Sequence, residues 1–148
     1  MARLPDDVVD AILAEPVTTQ DPIRSVGRIT GPHEALVPIT TFDVFGWRDL
    51  LYLANGVRHR RGIGKDDSGF RYPGDELDPG EEPFEDVDVY NPIGEVFVSM
   101  PAFERLAARY FRALVDGAAR IHDPVTRQPW WPEFVAATEE IEGRVSSG

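Results

Sequence analysis

The chain has no cysteine and a single lysine among its 148 residues. The first absence excludes disulfide scaffolds, thiol nucleophiles and thiolate zinc centres. The second leaves Schiff-base chemistry to Lys65 alone, and beside 14 arginines it is more simply a coding bias. Long hydrophobic runs are also missing, and the opening Met-Ala-Arg-Leu-Pro-Asp-Asp meets charge at once. Neither a membrane span nor a signal peptide is therefore expected, and the expected location is the cytoplasm. His33, His59 and His122 are the only histidines, and none stands at helical spacing from another, so no histidine metal site is read. None of the five serines sits in a Gly-x-Ser-x-Gly elbow. No dinucleotide or Walker glycine pattern occurs. Gly62-Ile-Gly64-Lys65 runs into Asp66 and Asp67, which would repel a phosphate. The EF-hand order of acids is absent as well. The sequence thus assigns no catalytic residue, no metal ligand and no cofactor.

What is abundant is negative charge: 26 Asp and Glu against 15 Lys and Arg, a net charge of -11. That balance repels nucleic acids and anionic lipid surfaces and favours a basic protein partner. The charge is local. Residues 65–95 hold 11 acids against Lys65 and Arg71, a net of -9, whereas the segments on either side are each at -1. Three prolines and two glycines in Tyr72-Pro-Gly-Asp-Glu-Leu-Asp-Pro-Gly-Glu-Glu-Pro83 predict an exposed loop over about 73–86. Its carboxylates, Asp75, Glu76, Asp78, Glu81, Glu82, Glu85 and Asp86, with Asp88 just beyond, are the candidate partner-binding residues. A solvated connection is the alternative. Upstream, Arg58-His59-Arg60-Arg61 is too short for a nucleic-acid patch and is expected to supply ion-pair partners to the acidic loop.

The hydrophobic fraction of 42% and 15 aromatic residues argue for a packed core. Pro5, Asp6 and Asp7 start a helix expected over 5–14, with Val8, Val9, Ile12 and Leu13 on its apolar face. Residues 23–30 and 34–40 read as strands around Gly31-Pro32. A helix through Trp47, Leu50, Leu51 and Leu53 is expected to end at Asn55-Gly56. Residues 57–63 and 69–72 are weaker strand candidates. The clearest hairpin joins 86–90 to 95–99 across Asn91-Pro-Ile-Gly94. Ser99 then caps a helix over 102–119 whose buried face carries Phe103, Leu106, Ala107, Tyr110, Phe111, Leu114, Val115 and Ala118. Glu104, Arg105, Arg109, Arg112 and Asp116 fall on the face assigned to water. A loop over 120–132 leads to a last helix at about 133–143, and the tail 144–148 is expected to fray. The expectation is a single α+β domain over 1–148, a small, mainly antiparallel sheet packed against two to three helices. With only one strong amphipathic helix, whose apolar face its own core needs, the chain is expected to be a monomer or weak dimer.

Trp130 and Trp131, bracketed by Pro129 and Pro132, would point to opposite sides of an extended segment. That makes one of them a candidate partner contact, although both capping the preceding helix is an equal alternative.

The segment Tyr90-Asn-Pro-Ile-Gly-Glu-Val-Phe-Val-Ser99, running into Phe103 and Tyr110-Phe111, resembles the small acidic immunity proteins that accompany bacterial polymorphic and contact-dependent toxins. The resemblance lies in size, charge, missing catalytic residues and the strand-turn-strand-helix tail, and no family residue transfers to a position here. It implies a cytoplasmic protein that binds and blocks a cognate toxin domain, often a nuclease with a basic cleft. The expected function is therefore a non-catalytic immunity or inhibitor protein acting through its acidic surface. A small carboxylate-dependent enzyme, with or without a divalent cation, is one alternative. An accessory subunit binding through Trp130 and Trp131 is another.

Overall fold

The structure, a computed structural model, describes residues 3–16, 27–30, 49–92 and 94–146. Four α-helices and a four-stranded antiparallel sheet make up most of it, with a separate two-stranded pair. The fold is α+β. Asp6–Asp10 forms α1, Leu13–Pro16 and Gly27–Thr30 form β1 and β2, and Leu50–Arg58 forms α2. Ile63–Lys65, Ser68–Arg71, Val87–Asn91 and Gly94–Val98 are β3 to β6, a meander in chain order. Met100–Arg120 is α3, Pro124–Arg127 a 3-10 turn, and Trp131–Ser146 α4.

Period-two alternation decides which way the sheet faces. Ile63, Phe70, Val89 and Val96 pair in one row across the four strands and are buried. Phe70 and Tyr72 close on Phe103 of α3 at ring distances of 4.9 and 5.8 Å. The buried face predicted for α3 is the one used, with Val115 alone only half-buried. Ser99 caps α3 as predicted, its Oγ accepting from Ala102 N at 3.3 Å while its hydroxyl donates to Asp6 at 2.8 Å.

Several expectations are corrected. The first helix stops at Asp10, and Leu13, expected in its apolar face, lies 62% exposed in a strand. Pairing of β1 with β2 overrides the helical spacing. The strand expected over 23–30 is seen at 27–30, while the residues before it, the strand at 34–40, and Trp47 with the start of its helix lie outside the described residues. Helix α2 continues through Asn55 and Gly56 to Arg58. Its end is closed by Arg60 N donating to Val57 O and Arg61 N to Gly56 O, with Arg60 in the left-handed region at φ 52°. Gly56 is kept small by packing: a Cβ there would sit 2.7 Å from Ile63 and 3.2 Å from Phe70. Residues 57–62 therefore finish a helix and its cap instead of starting a strand. Helix α4 begins at Trp131 and runs to Ser146, so most of the tail expected to fray is helical. Arg144 fixes it by donating to the carbonyls of Val57 and Arg58 at 2.9 and 2.8 Å. The basic cluster does not pair with the acidic loop: Arg58 meets Glu140 of α4 at 2.5 Å and Arg60 meets Glu104 of α3 at 2.9 Å.

No helix of the described residues is long and apolar enough to cross a membrane.

Candidate functional site

The outer face of the sheet carries the alternate residues of the same strands. Arg71 stands opposite Asp88 in the β4–β5 ladder, and Tyr90 stands opposite Glu95 in β5–β6. The Tyr90 hydroxyl lies over the glycines of β3 and β4: a Cβ on Gly64 or Gly69 would come within 2.9 Å of it. Glycine at both positions lets the ring lie flat across two strands.

Above this face runs the acidic loop, and its backbone is built from two successive Pro-Gly turns. Asp75 N donates to Tyr72 O at 3.1 Å around Pro73-Gly74, and Glu81 N donates to Asp78 O at 3.0 Å around Pro79-Gly80. With φ of 95° at Gly74 and 82° at Gly80, both are type II turns, which require a positive φ at their third position. The residue closing each turn points its carboxylate into the frame. Asp75 Oδ2 accepts from the backbone N–H of Gly62 and of Tyr72, both at 2.8 Å. Glu81 forms a two-pronged pair with Arg71 at 2.7 and 2.8 Å and accepts from Asp78 N at 3.1 Å.

Arg71 is the centre of the arrangement. Besides Glu81 it donates twice to Asp88 Oδ2, at 3.0 and 2.7 Å, and its guanidinium lies 5.0 Å from the centre of the Phe84 ring. Phe84 packs in turn on Phe97 of β6 at 5.8 Å. One arginine thus fixes the loop to the sheet through two carboxylates and an aromatic ring. The pair, with the Asp78 N–H behind it, holds the Glu81 carboxyl down at about 2. Asp86 pairs with Arg3 at 2.6 Å.

The candidate carboxylates consequently divide. Asp75, Glu81, Asp86 and Asp88 are engaged in the frame, whereas Glu76, Asp78, Glu82 and Glu85 are exposed. Glu95, counted in the acidic stretch but not singled out from sequence, joins the site from β6. An open groove of about 470 Å³ is lined by Arg71, Glu76, Asp78, Glu81, Asp88, Tyr90 and Glu95, five carboxylates against one guanidinium. Partial desolvation, reinforced by the neighbouring Asp88 carboxylate, pushes the Glu95 carboxyl up to about 7. Asp66 and Asp67, exposed in the β3–β4 turn with φ of 51° and 61°, add charge at the edge of the same face. The alternation of Val87 and Val89 with Asp88 and Tyr90 was the sequence signal that could have placed Arg71 and Glu95 beside them.

The tryptophans lie elsewhere. Because α4 starts at Trp131, the two residues are successive helix-start positions and not opposite sides of an extended segment. Both reach Phe134, at ring distances of 6.3 and 5.3 Å. Trp131 is buried and Trp130 half-buried. His122, in the left-handed region at φ 53°, closes the end of α3, and Asp123 caps the 3-10 turn through Val125 N at 2.9 Å. Among the described residues no three His, Asp or Glu side chains stand where they could hold a metal ion together.

A second buried charge sits between α2, α3 and α4. Glu104, expected to face water, is buried and accepts from Arg60 Nε and Nη2, Arg144 Nη2 and the Tyr72 hydroxyl at 2.8 to 3.1 Å. Burial, together with the adjacent Glu104 charge, raises the Tyr72 phenol far above its ordinary range, so it remains a donor. Each polar partner in this cluster is used to join secondary elements.

No family model matches the chain, and no curated protein or solved structure is significantly similar to it.

Proposed function

We propose that this protein is a non-catalytic binding protein that engages a basic protein partner through the acidic outer face of its sheet, in the manner of an immunity or inhibitor protein that occupies a toxin's basic cleft. The observation that supports this is the division of labour among the loop carboxylates. Asp75 and Glu81 hold two type II turns to the sheet, and Glu76, Asp78, Glu82 and Glu85 are left exposed on a frame already set. A connection serving only solubility needs charge but not a fixed geometry. A pre-set frame lowers the ordering cost of association, and concentrated charge steers the encounter.

The test is association with the product of the neighbouring gene, measured with Glu76, Asp78, Glu82 and Glu85 replaced by Gln and Asn. The association rate should fall at least ten-fold at low salt while the melting temperature stays the same or rises, since like charges are removed and no frame contact is lost. An unchanged association rate would make the loop a solvated connection.

A further inference from the structure

We propose that the groove beside Asp88 is a receptor for one guanidinium group, an arginine side chain that the basic partner inserts between Asp88 and Glu95. This rests on the reading of the acidic face as the binding surface, and it names what the face takes hold of.

Asp88 carries the argument. Its side chain is fully buried at the floor of the groove, and Arg71 uses only one of its oxygens. Among the described residues no N–H or hydroxyl donates to Asp88 Oδ1. A buried carboxylate oxygen without a donor is costly, and the cost falls when a donor arrives. Among the described residues Glu95 is the group in hydrogen-bonding contact with Asp88, and it can bond there only while its own carboxyl holds a proton. In the free protein that proton is the substitute for the missing donor.

The chemistry of the occupant follows from the spread of the acceptors. They lie on different elements, Asp88 on β5, Glu95 on β6, Glu76 and Asp78 on the loop, and they do not converge on a point where one metal ion could sit. A guanidinium carries five donors in a planar fork and reaches separated acceptors that a compact ion cannot. It is also more weakly hydrated than an ammonium, which suits a partly desolvated seat with the Tyr90 ring in its wall. The resident cation does not fill this role, because Arg71 is committed to Glu81, to Asp88 Oδ2 and to the Phe84 ring.

Binding should be linked to pH. The groups facing the seat are Arg71 from β4, Asp88 and Tyr90 from β5, Glu95 from β6, and Glu76, Asp78 and Glu81 from the loop. Asp67 and Tyr52 act on Tyr90 from the turn and from α2. Glu81 is held ionised at about 2, Arg71 is held cationic by its carboxylate partners, and partial burial raises the Tyr90 phenol, which stays neutral. Glu95, at about 7, is the group moved into the neutral range. An entering guanidinium must expel its proton, so affinity rises with pH, by about ten-fold between pH 6 and pH 8.

The experiment titrates the whole protein with N-acetyl-arginine amide, following the backbone amide resonances of Asp88, Tyr90 and Glu95. The uncharged N-acetyl-citrulline amide and the ammonium-bearing N-acetyl-lysine amide are the controls. Saturable shifts with the arginine compound, about ten-fold tighter at pH 8 than at pH 6, are expected, with a weaker response to lysine and none to citrulline. Glu95→Gln, at an exposed position outside the Arg71 pairs, should weaken binding and abolish its pH dependence. No shift at tens of millimolar arginine compound, an equal response to citrulline or lysine, or a pH dependence that survives in Glu95→Gln would each overturn the proposal. If the arginine compound leaves the groove untouched while the neighbouring gene's product still binds through the loop charges, the groove proposal fails alone. If the groove takes arginine but neutralising the loop leaves partner association unchanged, the proposed function fails.

Discussion

Arg60 clasps the buried carboxylate of Glu104 with Nε at 3.1 Å and Nη2 at 2.9 Å, and it does so from a backbone conformation, φ 52°, that only glycine adopts without cost. The same residue closes α2 and reaches α3, so the strain at the cap and the ion pair belong to one device. Arg144 completes it from α4, bonding Glu104 at 2.8 Å while satisfying the last carbonyls of α2. The last turn of a helix favours cations, which is why two arginines gather there.

Removing the carboxylate should therefore cost much more than removing one of its exposed partners. Glu104→Ala leaves the buried Tyr72 hydroxyl without its acceptor and Arg60 and Arg144 without their shared counter-charge, and should destabilise by about 3–5 kcal/mol in urea unfolding. Arg60→Ala, at a half-exposed side chain and with the left-handed strain unchanged because alanine keeps the Cβ, should cost only about 1 kcal/mol. Equal losses in the two variants would show that Glu104 is not the hub of the cluster.

Glu104 also shows where sequence reading stops. Helical periodicity puts it on the polar side of α3, and nothing within the helix says that Tyr72 and the end of α4 will cover that side. Leu13 fails for a related reason: its spacing from Val9 and Ile12 fits a helix, but the segment finds a distant strand to pair with. What was legible came from local rules. The Val87 to Val98 hairpin announced itself by alternation around Asn-Pro-Ile-Gly, and Ser99 by its place before an amphipathic run. The acidic loop was legible as a loop, since Pro and Gly break both ladders. Which of its carboxylates turn inward was not legible from residue type, because Asp75 and Glu76 are alike in composition and opposite in role. Only the position closing each Pro-Gly turn distinguishes them.

Glu95 sets a pH dependence with a defined sign. Its folded value of about 7 lies above the ordinary carboxylate range, so between about pH 4.5 and 7 the folded protein binds more protons than the unfolded chain. Stability must then fall as pH rises through that window, which is the reverse of the Glu81 contribution, lost only on acidification towards about 2. Melting curves from pH 5 to 8 should show a decline in the wild type that is flattened in Glu95→Gln. Parallel curves for the two proteins would mean that Glu95 titrates as an ordinary exposed carboxyl.

Charge and geometry in the acidic loop should separate kinetically. Gly80→Val leaves every carboxylate in place but puts a β-branched residue at φ 82°, at a position with open space around it, so its effect is backbone strain of about 1–2 kcal/mol and not a clash. Long-range attraction is untouched, and association with the neighbouring gene's product should stay within about two-fold of wild type. The bound loop must still adopt the turn, so the strain appears on the other side of the equilibrium, as dissociation about ten-fold faster. The variant lacking the charges of Glu76, Asp78, Glu82 and Glu85 should do the opposite, with slower association that no longer responds to salt. Surface plasmon resonance at low and physiological ionic strength resolves both rates, because screening acts on the encounter over about 8–10 Å and hardly on the closed contact. If Gly80→Val dissociates no faster than wild type, the Pro-Gly frame is not used in the complex. The loop charges then act from a segment that rearranges on binding, and the fixed positions of Asp75 and Glu81 serve the stability of the free protein alone.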